Sequence, residues 1–113
     1  MLVPLMLSSL VGLSSTPPVQ LATCEVSTPT TVQNDNGFTT VGGFTLHVRF
    51  SDTTSEPISR VTFTLDDGTR VSDVGTFSPG VVINHVLGLA STDATSCTAT
   101  TVRFADGAIW NAN

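Results

Sequence analysis

The sequence predicts an all-β protein, an antiparallel β-sandwich of about seven short strands. The first observation behind this prediction is strict alternation: Phe44, Leu46, Val48 and Phe50 share one face of a strand. The second is the regular spacing of turn residues between such segments. The third is the abundance of Thr and Val, whose β-branched side chains favour half-buried pleated surfaces. No helical pattern is present, so we expect both layers of the fold to be sheets.

Residues 1–15 resemble the apolar core and cleavage zone of a secretory signal. The apolar run is too short to span a bilayer, which needs about 20 residues, and Pro17 and Pro18 stop any helix. No Lys or Arg precedes the run, so either the α-amino group supplies its only charge or the true start lies upstream. A first strand of the domain is the alternative. We expect a signal-like segment at 1–15, cleaved close to its end, and a β-domain at 19–113.

Cys24 and Cys97 are the two cysteines of the chain. The residues before Cys24 approach a lipid-attachment motif, but Thr23 is a poor residue at its position, and lipidation would leave Cys97 as an odd thiol. Two unrelated buried thiols are the other alternative. We predict a disulfide between Cys24 and Cys97, which restricts the unfolded chain by roughly 4 kcal/mol.

The strands follow in order along the domain. Residues 19–27 form the first strand, and residues 28–43 form a long polar loop that can hold a short ribbon turning at Asn36-Gly37. Further strands are predicted at 43–51, 59–66, 69–74 and 81–87, with a closing hairpin at 97–111. The strand at 81–87 is more apolar than the others and is therefore expected at the centre of a sheet.

Turn residues connect these strands and fix their register. Asp67-Gly68 and Asp106-Gly107 are typical of two-residue type I′ hairpins, because Asp and Gly tolerate the two positive φ angles that this turn needs. Pro79-Gly80 is typical of a type II turn. With this register, the expected core consists of Phe44, Leu46, Val48, Phe50, Val61, Phe63, Leu65, Val102 and Phe104, with Trp110 covering one end.

Candidates for chemistry are few. His47 lies on the outward face of an amphipathic strand, and we expect His85, in an apolar strand, to be buried and bonded to backbone carbonyls. A metal site needs three or four converging ligands, and no short spacing of His, Cys and Asp supplies them. The acidic turns at 66–68 and 106–107 lack the spacing of a calcium loop. We predict no catalytic residue, no metal and no cofactor.

The net charge and the absence of catalytic motifs exclude further classes of function. A net charge of −5, with four arginines and no lysine, argues against binding nucleic acid or an anionic membrane surface. No nucleophile elbow of the form G-x-S-x-G and no phosphate-binding glycine loop occurs. The protein is therefore not expected to be an enzyme, and sheet edges are its best surfaces for a partner.

A resemblance rests on the residues Phe77-Ser78-Pro79-Gly80-Val81, Cys97, Val102, Phe104-Ala105-Asp106-Gly107 and Trp110. Their pattern resembles a group of small secreted bacterial proteins that have no assigned activity. The resemblance covers residues 44–111 and implies an immunoglobulin-like sandwich outside the cytoplasm. The chain departs from antibody-type domains, whose tryptophan lies between the two cysteines, because Trp110 follows both.

Taken together, these features predict a small, secreted or periplasmic binding or structural module that has no enzymatic activity. Its partner is expected to be an unidentified protein or a component of the cell envelope, and the mature domain is not expected to insert into a membrane. The alternative is a secreted hydrolase or an accessory domain of one. A pocket that contains His47 or His85 beside a carboxylate would favour that alternative.

Overall fold

The computed structural model describes residues 16–112, which form nine β-strands and no helix. The strands are β1 (Val19–Ser27), β2 (Thr30–Asn34), β3 (Gly37–Val41), β4 (Thr45–Asp52), β5 (Ile58–Leu65), β6 (Arg70–Phe77), β7 (Val82–Gly88), β8 (Cys97–Phe104) and β9 (Ile109–Asn111). The all-β prediction is confirmed. Nine strands are present rather than about seven because the region 28–43 contains a complete two-stranded ribbon. The signal-like segment predicted at 1–15 lies outside the described residues.

Three antiparallel sheets organise these strands. One has the order β1-β4-β7 and another has the order β6-β5-β8-β9. Their apolar faces share one core, with β1 near β8 at one margin and β7 near β6 at the other. The third sheet is the ribbon β2-β3, whose strands pair only with each other among the described strands.

The core follows the two-residue period of the central strands. Leu46, Val48 and Phe50 of β4 are buried, as expected, and their side chains meet those of β5 and β8. The Phe50 ring lies 5.6 Å from that of Phe63 and 5.3 Å from that of Phe77, measured between centroids. The expected core members Val61, Leu65 and Val102 are also buried, and Phe104 and Trp110 pack against the core from partly buried positions. Phe44 was expected in the core but precedes β4 and lies outside the core cluster.

Irregular pairing adds core residues that alternation does not predict. Between Ile58 and Arg60, β5 carries one more residue than β8, so Ser59 forms a bulge. Ile58 and Val61 are therefore both buried although they are three residues apart. A matching shift in β6 places Phe77 opposite Ile58, where its ring completes the contact with Phe50. Ile58 owes its burial to the bulge, whereas Phe77, four residues from the buried Asp73, keeps the regular parity of β6 and is brought opposite Ile58 by the shift.

The two Asp-Gly hairpins have three-residue loops rather than the two-residue type I′ loops that the sequence predicts. In the first, the Gly68 N–H donates to the Leu65 carbonyl at 2.9 Å, and Gly68 has φ of 93°. This geometry is a turn closed by a left-handed glycine, as in a G1 bulge. The Asp67 carboxylate accepts the Thr69 N–H at 2.9 Å, which stabilises the longer loop.

The second hairpin repeats this geometry. The Gly107 N–H donates to the Phe104 carbonyl at 3.0 Å, and Gly107 also has φ of 93°. The Asp106 carboxylate accepts the Ala108 N–H at 3.0 Å, two residues further on. In both loops the aspartate supports the turn through its side chain, and the glycine supplies the positive φ.

Strand β7 lies at the edge of its sheet, not at the centre as its apolar composition predicts. It pairs with β4 alone, and Val82 and Val86 are exposed to solvent on its outer side. The turn that precedes it has the predicted form, because the Val81 N–H donates to the Ser78 carbonyl and Gly80 has φ of 78°. Apolar composition alone did not distinguish a central strand from an edge strand whose valines stay exposed.

Exchange of Phe63 for alanine tests the assignment of faces. Phe63 is fully buried, so Phe63→Ala should lower the free energy of unfolding by about 3–5 kcal/mol. Thr62 is the matched control on the opposite face, where its hydroxyl bonds to the Ser72 hydroxyl at 2.9 Å. Thr62→Ala should change the free energy of unfolding by no more than about 0.5 kcal/mol. Denaturant titration measures both, and equal losses would contradict the assignment.

Candidate functional site

The disulfide joins the two packed sheets at one margin. Cys24 lies on β1 opposite Val48, and Cys97 begins β8 opposite Leu65. Their Cα atoms are 5.6 Å apart, within the range that a disulfide requires, and neither thiol is free. The predicted pairing of Cys24 with Cys97 is therefore present. Because the bond connects strands of different sheets, it holds the two layers together rather than reinforcing one of them.

A polar pair joins the sheets at the other margin. Asp73 lies on β6 and faces inward, and His85 lies on β7 in the other sheet. The His85 Nδ1 atom and the Asp73 Oδ2 atom are 2.6 Å apart, which is a hydrogen bond. The Asp73 side chain is 6% exposed and the His85 side chain is 47% exposed. The expectation for His85 was therefore wrong in both respects, since it is half exposed and bonds to a carboxylate.

The Asp73–His85 pair has a chemical capability as well as a structural role. A buried carboxylate at Nδ1 fixes the orientation of an imidazole and favours the tautomer whose Nε2 atom can accept a proton. The Phe77 ring lies near the imidazole in an edge-to-face arrangement, with the ring centroids 6.3 Å apart. No hydroxyl or thiol within residues 16–112 is hydrogen-bonded to Nε2 of His85. The pair is thus an oriented base for which the described residues supply no nucleophile.

His47 lies where the sequence predicts it, on the outward face of β4. Its Nε2 atom lies 2.5 Å from Oδ1 of Asn84 on β7, so the imidazole N–H donates to the amide oxygen. This bond links neighbouring strands of one sheet on its solvent side. His47 and His85 therefore occupy opposite faces of the same sheet, and they do not form a common site.

The acidic loop at 66–68 is joined to the segment before β8. Both oxygens of Asp66 accept hydrogen bonds from Thr95, at 3.0 Å from its N–H and 3.1 Å from its hydroxyl. Asp67 accepts a hydrogen bond from the Thr92 hydroxyl. The Thr95 N–H holds the pKa of Asp66 below its usual range, and the Thr92 hydroxyl does the same for Asp67. These carboxylates serve as hydrogen-bond acceptors that fix a loop, and no metal-binding cluster of His, Cys, Asp and Glu occurs within residues 16–112.

The ribbon β2–β3 is the feature that sequence reasoning only touched. Apart from Gly37, every residue of both strands is exposed to solvent. Phe38 is 74% exposed, and Val32 and Val41 are also exposed. Asn36-Gly37 signalled the turn, but nothing in the sequence showed that the ribbon would have no neighbouring strand. No pocket opens among the described residues, so this surface, the sheet faces and the sheet edges are what the protein presents.

No family model, no curated protein and no solved structure matches this chain. The described residues contain no helix long and apolar enough to cross a membrane. The resemblance to small secreted bacterial proteins therefore stays a prediction, and the function has to be argued from the residues themselves.

Loss of the disulfide should destabilise the domain strongly. Its two cysteines are 73 residues apart, so the bond closes a long loop in the unfolded chain. We expect the double variant Cys24→Ser/Cys97→Ser to lose about 4 kcal/mol of unfolding free energy, by the chain-entropy argument. Denaturant titration of the variant beside the oxidised and the reduced protein measures this. A variant as stable as the oxidised protein would show that the bond does not support the fold.

The two histidines should differ in their contribution to stability. His85→Ala removes the partner of a buried carboxylate, and we expect a loss of about 2 kcal/mol in unfolding free energy. His47→Ala removes only a hydrogen bond on the exposed face, and the loss should stay below about 1 kcal/mol. Thermal and denaturant unfolding of both variants at neutral pH makes the comparison. The reverse order would mean that the Asp73–His85 bond does not hold the margin.

Proposed function

We propose that this protein is a small extracytoplasmic binding module without enzymatic activity, with an immunoglobulin-like sandwich as its body. Its partner is a protein or a component of the cell envelope, and the ribbon β2–β3 is the surface that contacts it. The observation that carries the proposal is the ribbon itself, in which Phe38 is 74% exposed.

The ribbon gains more from a partner than any other described element. A two-stranded ribbon alone is marginally stable in water, because it buries little apolar surface. Each of its strands has one edge whose backbone N–H and C=O groups pair with no other described strand. A partner that adds a strand beside β3 forms main-chain hydrogen bonds, while the exposed Phe38 side chain of that strand supplies an apolar contact. The same event covers an exposed aromatic ring, which is a costly group to leave in water.

The body suits a location outside the cytoplasm. A disulfide persists in oxidising compartments, and reducing conditions inside the cell would open it. The bond and the Asp73–His85 pair hold the two margins of the body, so the strands that lead into and out of the ribbon start from a fixed support. The disulfide therefore favours secretion or a periplasmic location. The fixed body in turn lets the ribbon project toward the partner.

A secreted hydrolase, or an accessory domain of one, is the alternative, and the Asp73–His85 pair is the observation that favours it. The pair has the orientation of a general base, and half of the imidazole is accessible. Hydrolysis of p-nitrophenyl acetate by the protein, lost in His85→Ala and kept in His47→Ala, would establish this alternative. Our proposal expects all three proteins to hydrolyse p-nitrophenyl acetate at the same rate, no faster than buffer alone.

Binding to envelope fractions of the source organism tests the proposed role of the ribbon. We expect saturable binding of the labelled protein, weakened on the order of tenfold in Phe38→Ser because the exposed aromatic anchor of the ribbon is lost. Val86→Ser is the matched control, since Val86 is an exposed apolar residue on the body. Equal weakening in both variants, or no saturable binding of the parent protein, would reject the ribbon as the contact surface.

A further inference from the structure

The solvent face of the sheet β6-β5-β8-β9 carries three of the four arginines of the chain. Arg60 lies on β5, Arg70 on β6 and Arg103 on β8, and all three are exposed to solvent. Arg60 is the direct partner of Arg103 across β5 and β8. Arg70 lies opposite Thr64, four residues further along β5 than Arg60. We call this surface, defined by these three residues, the arginine face.

The register arranges this face in rows across the sheet. The first row holds the exposed residues Val74, Arg60, Arg103 and Ile109 in strand order. The second row holds Ser72, Thr62, Thr101 and Asn111. The third row holds Arg70, Thr64 and Thr98. Two guanidinium groups are thus flanked by apolar side chains, and hydroxyl groups separate them from the third arginine.

The arginines of this face have no acidic partner among the described residues. The one ion pair among the described residues joins Asp73 and His85, and Asp73 faces the core rather than the arginine face. The carboxylates at 66–67 and 106 lie in the hairpin loops and are engaged by backbone and hydroxyl donors. At physiological salt a charge is screened within about 8 Å, so the distant acidic residues of the chain weaken the field of these arginines little, and no described carboxylate pairs with them.

The Arg60–Arg103 pair opposes the stability of the sheet. Like charges directly opposite each other on neighbouring strands are destabilising, because their side chains start only about 5 Å apart. The other outward positions in the rows around the pair are apolar, hydroxylic or, at Asn111, an amide, so packing does not require a charge at either position. A repulsive pair of this kind becomes favourable when one anion lies between the two guanidinium groups and accepts hydrogen bonds from both.

Hydroxyl groups dominate the rest of the face. The Thr62 hydroxyl bonds to the Ser72 hydroxyl at 2.9 Å, and the Thr101 hydroxyl donates to the Asn111 side chain at 3.0 Å. A hydroxyl can donate once and accept twice, so these groups keep acceptor capacity for a ligand. An exposed sheet face with sparse cations and many hydroxyls matches an extended polymer that itself carries hydroxyls and widely spaced anions.

We propose that the arginine face binds an anionic polysaccharide whose charge comes from carboxylates, a polyuronate. The planar fork of a guanidinium matches a carboxylate through two parallel hydrogen bonds. The exposed Val74 and Ile109 contact the C–H surfaces of the sugar rings on either side of the paired arginines. Three arginines neutralise few charges, which fits one carboxylate per sugar better than a densely charged phosphate or sulfate polymer. This site is on the sheet body and does not depend on the ribbon proposal.

Binding of the oxidised protein to polygalacturonate tests the proposal, with neutral dextran as the uncharged control. We expect binding to polygalacturonate that weakens as sodium chloride is raised, and none to dextran. The double variant Arg60→Gln/Arg103→Gln should bind on the order of tenfold more weakly or worse. Arg49→Gln is the matched control, because Arg49 is exposed on the solvent face of the other sheet, and its affinity should stay within about twofold of the parent.

Thermal unfolding separates a binding role from a structural one. Removal of one member of a repulsive pair should leave the melting temperature of Arg60→Gln and of Arg103→Gln equal to or above that of the parent. Phe38→Ser should bind polygalacturonate as the parent does, which keeps this test independent of the ribbon.

Several outcomes would overturn the proposal. One is a loss of polygalacturonate affinity in Arg49→Gln as large as that in Arg60→Gln/Arg103→Gln. Another is the absence of polygalacturonate binding by the parent protein. A third is weaker binding in the arginine variants that is explained by a lower melting temperature. Preference for dextran sulfate or polyglutamate over polygalacturonate would also reject the polyuronate as the occupant.

Discussion

The Phe50 ring makes the contact on which the two-layer body depends. It projects from β4 in one sheet and meets Phe63 and Phe77 of the other sheet, at centroid distances of 5.6 and 5.3 Å. Edge-to-face and tilted arrangements of this kind are favourable beyond their buried area. Phe77 keeps the inward parity of Asp73, and the register shift in β6 aligns it with Ile58, which the bulge in β5 turns toward the core. The bulge, the central packing and the spacing of the sheets are therefore one coupled arrangement.

Alternation predicted the regular part of this body. The strands β4 and β5 present Leu46, Val48, Val61 and Phe63 to the core as their two-residue period requires. Parity of the cysteines likewise predicted the Cys24–Cys97 bond. In these cases a local pattern was sufficient, because a shift by one residue would have buried His47 and Arg49 on β4.

The rest depended on tertiary context that the sequence does not display. A bulge at Ser59 has no local signature, so Ile58 could not be assigned to the core. The loops ending in Gly68 and Gly107 gained a third residue, a choice that the dipeptide Asp-Gly leaves open. His85 is hydrogen-bonded to the Asp73 carboxylate on β6 of the other sheet, and only the packing of the two layers brings β6 near His85. The arginine face was missed for the same reason, since cross-strand register creates its rows.

The two margins of the body are closed by different kinds of bond, so they respond differently to a reducing agent. The Cys24–Cys97 bond is covalent and independent of protonation, whereas the Asp73–His85 bond relies on a carboxylate and an imidazole. Reduction therefore acts on one margin and leaves the polar pair of the other intact. The outer faces of both sheets are not part of either closure, which leaves them available for contacts with other molecules.

The ribbon enters and leaves the body at one point. Ser27, which ends β1, is the cross-strand partner of Thr45, which begins β4. Residues 28–44 are consequently an insertion within a β1–β4 hairpin, since both of its ends are already held by sheet pairing. Such a segment can be shortened, exchanged or lengthened across related genes without altering the register of a single body strand. The architecture thereby separates what must be inherited unchanged, the paired strands, from a segment in which new specificities can arise.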